Sequence, residues 1–260
     1  TPIPLGSDNF NTVLYTGNGG TQAITGVGFE PNLTWIKQRN GTGRNVLTDS
    51  VRGVTKYLWS ELSNAEFSYG SNIGLTSFDS NGFTVADPGS TDYNVNGTSK
   101  TYVAWNWKAG GAAVSNTDGT ITSQVSANVD AGFSIVKYTG NGTAGATIGH
   151  GLSSTPEMVI VKCISGTDAS YTGWHVYTPT TGATKTIQLN LSNAASTNSL
   201  IWNNTAPTST VFSVANNTET NGSSGQQYIA YAFHSVAGYS KIGSYTGTGL
   251  DVPVNLGFEP

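Results

Sequence analysis

The chain has 260 residues, a formal net charge of −4, and only 10% charged residues. Its 33 glycines, with abundant Thr, Ser and Asn, favour strands and turns, and 37% hydrophobic residues suffice for packed cores, which excludes a disordered chain. No basic run suits double-stranded nucleic acid, and no apolar stretch reaches the ~18 residues that a membrane-spanning helix needs, so neither partner is expected.

Short apolar or β-branched runs, separated by Gly, Asn, Asp or Pro, fill the first hundred residues. About eight short strands at this spacing are typical of a β-sandwich or jelly roll. The predicted strands are 11–15, 22–28, 33–38, 44–48, 55–59, 73–78, 82–86 and 100–107. Short helical turns are predicted at 60–67 and at 191–197, where Leu, Ala and Glu cluster in the first of the two segments.

The last of these strands shows a clear alternation of side chains. Val103, Trp105 and Trp107 lie on one face, and Tyr, Ala and Asn lie on the other. We predict that the face with the two tryptophans packs into the core of its sandwich, since a half-buried strand alternates large apolar residues with smaller or polar ones. The matching face further along the chain carries Ile229, Tyr231 and Phe233.

The chain repeats itself. Five sequence blocks occur twice in the same order, with spacings that differ by only a few residues, as expected for fixed strands joined by loops of variable length. The paired blocks begin at Tyr15 and Tyr138, Pro31 and Pro156, Thr55 and Thr184, Phe83 and Phe212, and Tyr102 and Tyr228. A third copy of the first block begins at Tyr245.

This repetition predicts an all-β chain of tandem β-sandwiches, either jelly-roll or lectin-like. We divide it into a first repeat at 1–108, a Gly/Ser/Ala-rich linker at 109–131, a second repeat at 132–235, and the start of a third at 236–260. The linker is expected to contain one strand near 120–125. The third copy stops early, which suggests that the natural polypeptide is longer.

Chemistry-bearing residues are few and scattered. His150 lies in a Gly-rich turn, and neither it nor His175 nor His234 belongs to a hydrolase or metalloprotease motif. Carboxylates are not paired at repeated positions. Cys163 is the single cysteine and is expected to be a small buried hydrophobe. The chain is therefore predicted not to be an enzyme, and no cofactor or metal is expected.

Several phrases resemble a known family. The segments Tyr15-Thr-Gly-Asn-Gly19, Val27-Gly-Phe-Glu-Pro-Asn-Leu-Thr-Trp-Ile-Lys37, Asp49-Ser-Val-Arg-Gly53 and Tyr102-Val-Ala-Trp-Asn-Trp107 resemble a repeat domain of marine and cyanobacterial bacteriophage virion proteins, tail-fibre-like proteins among them. The resemblance covers nearly the whole chain. It implies a position on the virion surface and a lectin-like jelly roll. The second repeat has Thr178-Pro-Thr-Thr-Gly182 opposite the third phrase, so any role of Arg52 belongs to the first repeat alone.

Carbohydrate binding is a further hypothesis, because sugars stack their C–H faces on exposed aromatic rings. Tyr171, Trp174 and Trp202 lie in loop-rich segments and are the candidate residues. The alternative is that Trp174 and Trp202 are core residues, as Trp usually is. Lys37 and Lys162 recur at equivalent positions and are interpreted as lysines that protect a sheet edge.

These observations predict a bacteriophage virion structural protein: a tail-fibre, tail or capsid-decorating component outside the cell. It would bind other virion proteins or copies of itself, with a trimer as the first guess, and a cell-surface glycan is a candidate ligand. The alternative is a secreted cellular lectin-like adhesin or carbohydrate-binding module.

Overall fold

The computed structural model describes residues 6–87, 95–166, 172–223 and 225–259. With 41% of residues in strands and 5% in helices, it confirms the all-β prediction. A short 3-10 helix at Gly6–Asp8 leads into the first strand.

The first repeat is a sandwich of two antiparallel sheets. Its strands are β1 (Phe10–Thr16), β2 (Thr21–Thr25), β3 (Leu33–Gln38), β4 (Asn45–Asp49), β5 (Lys56–Trp59), β6 (Phe67–Ser68), β7 (Gly74–Asp79), β8 (Gly82–Ala86) and β9 (Thr101–Trp107). The large sheet, sheet one, has the order β1-β9-β3-β4-β5-β6, and the small sheet has the order β2-β8-β7. The predicted strands of this repeat are confirmed to within one or two residues at most ends.

The second repeat has the same plan. Its elements are β10 (Val114–Asn116), β11 (Ser123–Asn128), β12 (Phe133–Thr139), β13 (Ala146–Gly149), β14 (Met158–Ser165), β15 (Trp174–Tyr177), β16 (Lys185–Gln188), β17 (Ser196–Thr197), α1 (Ser199–Trp202), β18 (Val211–Val214), α2 (Thr218–Asn221) and β19 (Gln227–Phe233). The large sheet, sheet two, has the order β10-β11-β12-β19-β14-β15-β16-β17, and β13 pairs with β18 in the small sheet.

Equivalent tyrosines make equivalent contacts in the two repeats. Tyr15 stacks on Tyr102 with ring centroids 5.0 Å apart, and Tyr138 stacks on Tyr228 at 5.1 Å. The hydroxyl of Tyr15 donates to the carbonyl of Val95, as the hydroxyl of Tyr138 does to that of Thr220. The sequence repeat is therefore a structural repeat down to individual side chains.

The core of each sandwich lies between its large and small sheets, and here the predicted face of β9 was wrong. Tyr102, Ala104 and Asn106 are fully buried, whereas Trp105 is only half-buried. The face with Val103, Trp105 and Trp107 points away from the small sheet. Alternation shows that a strand has two different faces. In this strand Tyr102 and Ala104 fill the sandwich, whereas Trp107, on the other face, belongs to a second layer of packing.

That second layer joins the repeats, since the outer faces of the two large sheets pack against each other. Sheet one supplies buried leucines, and sheet two supplies mainly aromatic and β-branched residues. The buried residues of this layer are Leu33, Leu47, Leu58, Ala109, Phe133, Ile135, Ile164, Trp174, Ile229 and Tyr231. The described parts of the two repeats thus share a continuous apolar core.

Segments outside the paired strands differ from their predictions. The linker at 109–131 contributes β10 and β11, and β11 pairs with β12, so much of it is part of sheet two. No helix forms at 60–67 or 191–197; α1 starts later, where the side chain of Asn198 accepts a hydrogen bond from the backbone N–H of Leu200. Residues 241–259 have no regular secondary structure, and Leu250 is 83% exposed.

Candidate functional site

A buried ion pair lies at the contact between the two large sheets. Asp49 ends β4, and its carboxylate accepts hydrogen bonds from the backbone N–H groups of Val51 and Arg52 and from the Arg52 side chain. The Arg52 guanidinium also donates to the carbonyl of Leu47 at 3.0 Å and to the carboxylate of Glu66 at 3.2 Å. The Asp-Ser-Val-Arg-Gly phrase therefore folds as a turn that holds a charge pair in the interior.

The second repeat completes this cluster. The hydroxyl of Tyr231 on β19 donates to Oδ2 of Asp49 at 2.7 Å, across 182 positions of sequence. A buried charge is costly unless its lone pairs are satisfied, and this hydroxyl supplies one of the partners. We refer to Asp49, Arg52, Glu66 and Tyr231 as the interface cluster.

Electrostatics in the interface cluster fix the protonation states of Tyr231 and Arg52. Burial raises the pKa of Tyr231 well above its ordinary value, and the nearby Asp49 carboxylate adds to this. Burial lowers the pKa of Arg52, but Asp49, Tyr231 and Glu66 outweigh it and the net pKa is raised. Tyr231 therefore stays a hydroxyl donor and Arg52 stays a cation at ordinary pH.

The predicted role of Arg52 in the first repeat alone agrees with the geometry at the equivalent turn. Thr178 and Thr181 stand in the second repeat where Asp49 and Arg52 stand in the first. Their hydroxyls lie 3.1 Å apart, and the hydroxyl of Thr181 donates to the carbonyl of Thr178. This turn is held by neutral groups and contributes no charge to the interface.

The candidate sugar-binding tryptophans are core residues. Trp174 is fully buried at the interface, where its indole Nε1 donates to the carbonyls of Trp59 at 3.0 Å and Leu62 at 3.1 Å. Trp202 is 1% exposed and packs edge-on against Tyr177. Neither presents a ring face to solvent, so the structure does not bring them together as a sugar platform. Tyr171 lies outside the described residues.

An apolar cavity of about 260 Å³ opens along one side of the interface. Its walls come from both large sheets and consist almost wholly of carbon. The lining residues are Leu33, Trp35, Leu47, Trp107, Met158, Ile160, Trp174, Leu189, Tyr231 and Phe233. The cavity marks the part of the interface that the two repeats do not close by themselves.

A second polar group lies inside the second repeat, on β15, β16 and α2. Nε2 of His175 lies 2.9 Å from the carboxylate of Glu219, and its Nδ1 lies 3.0 Å from the hydroxyl of Thr186. The hydrogen bond from His175 lowers the pKa of Glu219, although burial opposes it. The order Thr–His–Glu has the elements of a nucleophile and base, and the side chains of His175 and Thr186 are buried.

The prediction that the recurring lysines protect a sheet edge is wrong. Lys37 and Lys162 lie on β3 and β14, which are internal strands with neighbours on both sides. Lys37 donates to the carbonyl of Gly43 at 2.7 Å, and the buried Lys162 donates to the hydroxyl of Thr172 at 3.0 Å. Each ammonium therefore ties down the loop after its own strand.

Sequence reasoning missed a pair of buried asparagines. Asn96 and Asn221 are fully buried and bind the Tyr-Thr-Gly-Asn-Gly loops: the side chain of Asn96 accepts from the N–H of Asn18 at 3.2 Å, and that of Asn221 from Asn141 at 2.8 Å. The repeated loop is thus held from within. Both asparagines precede Gly and lie shortly before the last strand of their repeat, five residues before it for Asn96 and six for Asn221, which is the signal that could have revealed them.

Other residues of interest are also interior. Cys163 is fully buried in the core of the second repeat, as predicted, and burial raises the pKa of its thiol. His150 is buried too, and burial lowers its pKa.

Within the described residues, no set of three or more His, Cys, Asp or Glu side chains is arranged to hold a metal ion. The same residues include no helix with the length and apolarity to cross a membrane.

Comparison with known proteins gives one match. A family model described as "Domain of unknown function (DUF7483)" matches residues 5–260. The chain belongs to this family. The matched range includes both repeats and the interface between them. No curated protein and no solved structure matches.

Proposed function

We propose that this member of the DUF7483 family is a structural protein of bacteriophage particles: a tail-fibre, tail or capsid-decorating component on the outside of the virion. The proposal draws on the resemblance of its repeated phrases to virion proteins. It also draws on the described sites, where the buried polar groups hold loops and sheets together.

One observation carries the proposal. The large sheets of the two repeats are joined by a shared apolar core and by the hydrogen bond from Tyr231 to Asp49. Repeats joined only by a linker would move independently, whereas a shared core fixes their relative positions. A rigid block of two sandwiches suits a component that must keep its shape in a particle.

The low charge of the chain is consistent with such a role. Only 10% of the residues are charged, so neighbouring copies or other virion proteins meet little electrostatic repulsion. We propose that assembly involves other virion proteins or further copies of this chain.

The test is to purify intact particles of the virus that encodes the chain and to quantify the protein in them by mass spectrometry. We expect a fixed number of copies per particle that persists through density-gradient centrifugation, and labelling of the particle exterior by an antibody. Recovery of the protein only from the culture medium or the cell surface, without particles, would refute the proposal and favour a secreted adhesin.

Glycan binding is retained only as a separate part of this proposal. Because Trp174 and Trp202 are buried, a sugar would have to use other rings. A glycan array with the purified chain tests this directly. If the chain has a virion role without receptor binding, no glycan on the array should bind it. A glycan that binds reproducibly would support a role in host attachment.

A further inference from the structure

The outer face of sheet one carries an apolar patch that the second repeat does not cover. Leu14 on β1 is 61% exposed, and Val103, Trp105 and Trp35 beside it are half-buried. Leu14 pairs with Val103, and Trp105 pairs with Trp35, whose ring lies 6.2 Å from that of Trp105. We call these four residues the repeat-one patch.

The equivalent surface in the second repeat is closed. Ile229 and Tyr231 stand at the positions of Val103 and Trp105, and they are 0% and 1% exposed because sheet one packs over them. Lys137 stands at the position of Leu14 and is half-buried. The same part of the sheet is therefore covered in one repeat and open in the other.

The patch is continuous with the established interface. Trp35 lines the cavity between the sheets together with Leu33 and Leu47, which are buried against the second repeat. Leu189, on the other side of the cavity, is 40% exposed. The apolar surface thus extends from the inter-repeat core to the outer end of sheet one.

The edge of sheet one next to the patch is also open. In sheet two, β12 has β11 on one side and β19 on the other. Its counterpart β1 pairs with β9 and is the end strand of sheet one in the described part of the chain. Leu14 therefore lies at a sheet margin that a neighbouring molecule can approach.

We propose that the repeat-one patch is the contact surface for a second copy of this chain, which docks with its own repeat-one patch. Within the chain, the outer face of sheet one already packs against the outer face of sheet two. Because Ile229 and Tyr231 on the sheet-two face are already covered, the open surface that a second copy offers at this part of the sheet is its own repeat-one patch. The four patch residues carry no charge. A self-complementary contact of this kind closes at two copies, so the assembly expected is a symmetric dimer rather than a trimer.

Sedimentation equilibrium of the full chain tests the proposal, with Leu14→Lys as the main variant. Lys137 already occupies the equivalent position in β12, so a lysine is compatible with this strand. In the dimer, two lysines would be brought into an apolar contact without partners, and we expect dimerisation to weaken by at least about tenfold. The thermal unfolding curve of the variant should remain cooperative.

The matched control is Val114→Lys. Val114 on β10 is 64% exposed, about as much as Leu14, but lies outside the patch. We expect it to leave the dissociation constant unchanged. A second control is Leu250→Lys in the exposed C-terminal segment, which should also leave it unchanged.

Three outcomes would overturn the proposal. One is a chain that stays monomeric at about 100 μM, a concentration at which even a weak specific dimer forms. Another is a trimer, because a self-complementary patch does not produce one. The last is a dimer that survives Leu14→Lys but is lost in Leu250→Lys, which would assign the contact to the C-terminal segment.

Discussion

At the residue scale, the hydroxyl of Tyr231 connects the two repeats to a buried charge. We predict that Tyr231→Phe lowers the free energy of unfolding by about 1.5–3 kcal/mol, the usual range for a hydrogen bond to a charged group. Asp49 would keep its bonds from Arg52 but lose the bond from the second repeat. Urea denaturation measures the loss.

The control for this change is Tyr177→Phe. Tyr177 is buried in the same repeat, and its hydroxyl makes no hydrogen bond to another described residue. We expect its loss to be well below that of Tyr231→Phe. Equal losses would show that the bond to Asp49 contributes nothing specific.

The two faces of β9 give a second prediction at this scale. Tyr102 is fully buried between the sheets of the first repeat, stacks on Tyr15, and accepts a hydrogen bond from the N–H of Gly97 at 3.0 Å. Tyr102→Ala should cost about 3–5 kcal/mol, as expected for an aromatic truncated in a core. Trp105→Ala should cost clearly less, because Trp105 is half-buried. Denaturation of both variants would contradict our description of the faces if Trp105→Ala were the more damaging.

At the scale of single elements, β14 places Lys162 in the interior, and this has a consequence for pH. Burial lowers the pKa of Lys162 to about 8, although the charges of Cys163 and Glu219 act to raise it. In the unfolded chain, Lys162 keeps its ordinary pKa of about 10.4. Above pH 8 the unfolded state therefore binds more protons at Lys162 than the folded state, and the contribution of Lys162 to stability increases with pH.

In a Cys163→Ala background, we predict a gain in unfolding free energy of about 1–2 kcal/mol between pH 8 and pH 9.5, measured by urea denaturation at a series of pH values. This background is needed because burial raises the pKa of the Cys163 thiol, which ionises first in the unfolded chain and opposes the gain over the same range. At higher pH the buried tyrosines oppose the gain, because burial raises the pKa of Tyr102 to about 12 and tyrosines of the unfolded chain ionise first. Lys162→Met removes the titrating group. A gain that persists in this variant would show that Lys162 is not its source.

How far the elements could be predicted depends on where the information lies. The strands of the first repeat follow from local runs such as Phe83-Thr-Val85, which are bounded by Gly and Asp and leave few alternatives. Which face of β9 is buried does not follow from a local run, because Trp105 on one face and Tyr102 on the other both suit a core. The choice depends on which face of β9 meets the small sheet, and no local pattern encodes it. The loop at 60–66 was misread for a similar reason: it lies against sheet two, where the N–H of Glu66 donates to the carbonyl of Ile164.

At the scale of the whole molecule, the shared core predicts that the two repeats unfold together. We expect hydrogen exchange to give similar opening free energies for β3 in the first repeat and β14 in the second. Arg52→Ala should lower both by about 3–5 kcal/mol, because it leaves the Asp49 carboxylate buried without its cation.

Arg44→Ala is the control for that prediction. Arg44 is 44% exposed and lies 3.8 Å from Glu61, a surface pair expected to contribute no more than about 1 kcal/mol. If Arg52→Ala weakened protection of β3 but left β14 unchanged, the repeats would be independent units.

The interface cluster could be anticipated only in part. The phrase around Asp49 and Arg52 stands out because the second repeat lacks it, which suggested a role specific to the first. Its partner Tyr231 is indistinguishable in sequence from any other core tyrosine. Trp174 and Trp202 were candidate sugar-binding residues because their segments are rich in loops, yet ring burial depends on what folds over the loop.

The difference between the two turns also means that the two repeats cannot be made identical without losing part of their contact. Asp49 and Arg52 need a hydroxyl opposite them, and Tyr231 supplies it; the first repeat has Trp105 at that position, which has no hydroxyl. Unequal recombination that made both copies alike would therefore lose one side of the contact, whichever copy was kept. The two repeats are therefore complementary at this contact, and neither can replace the other there.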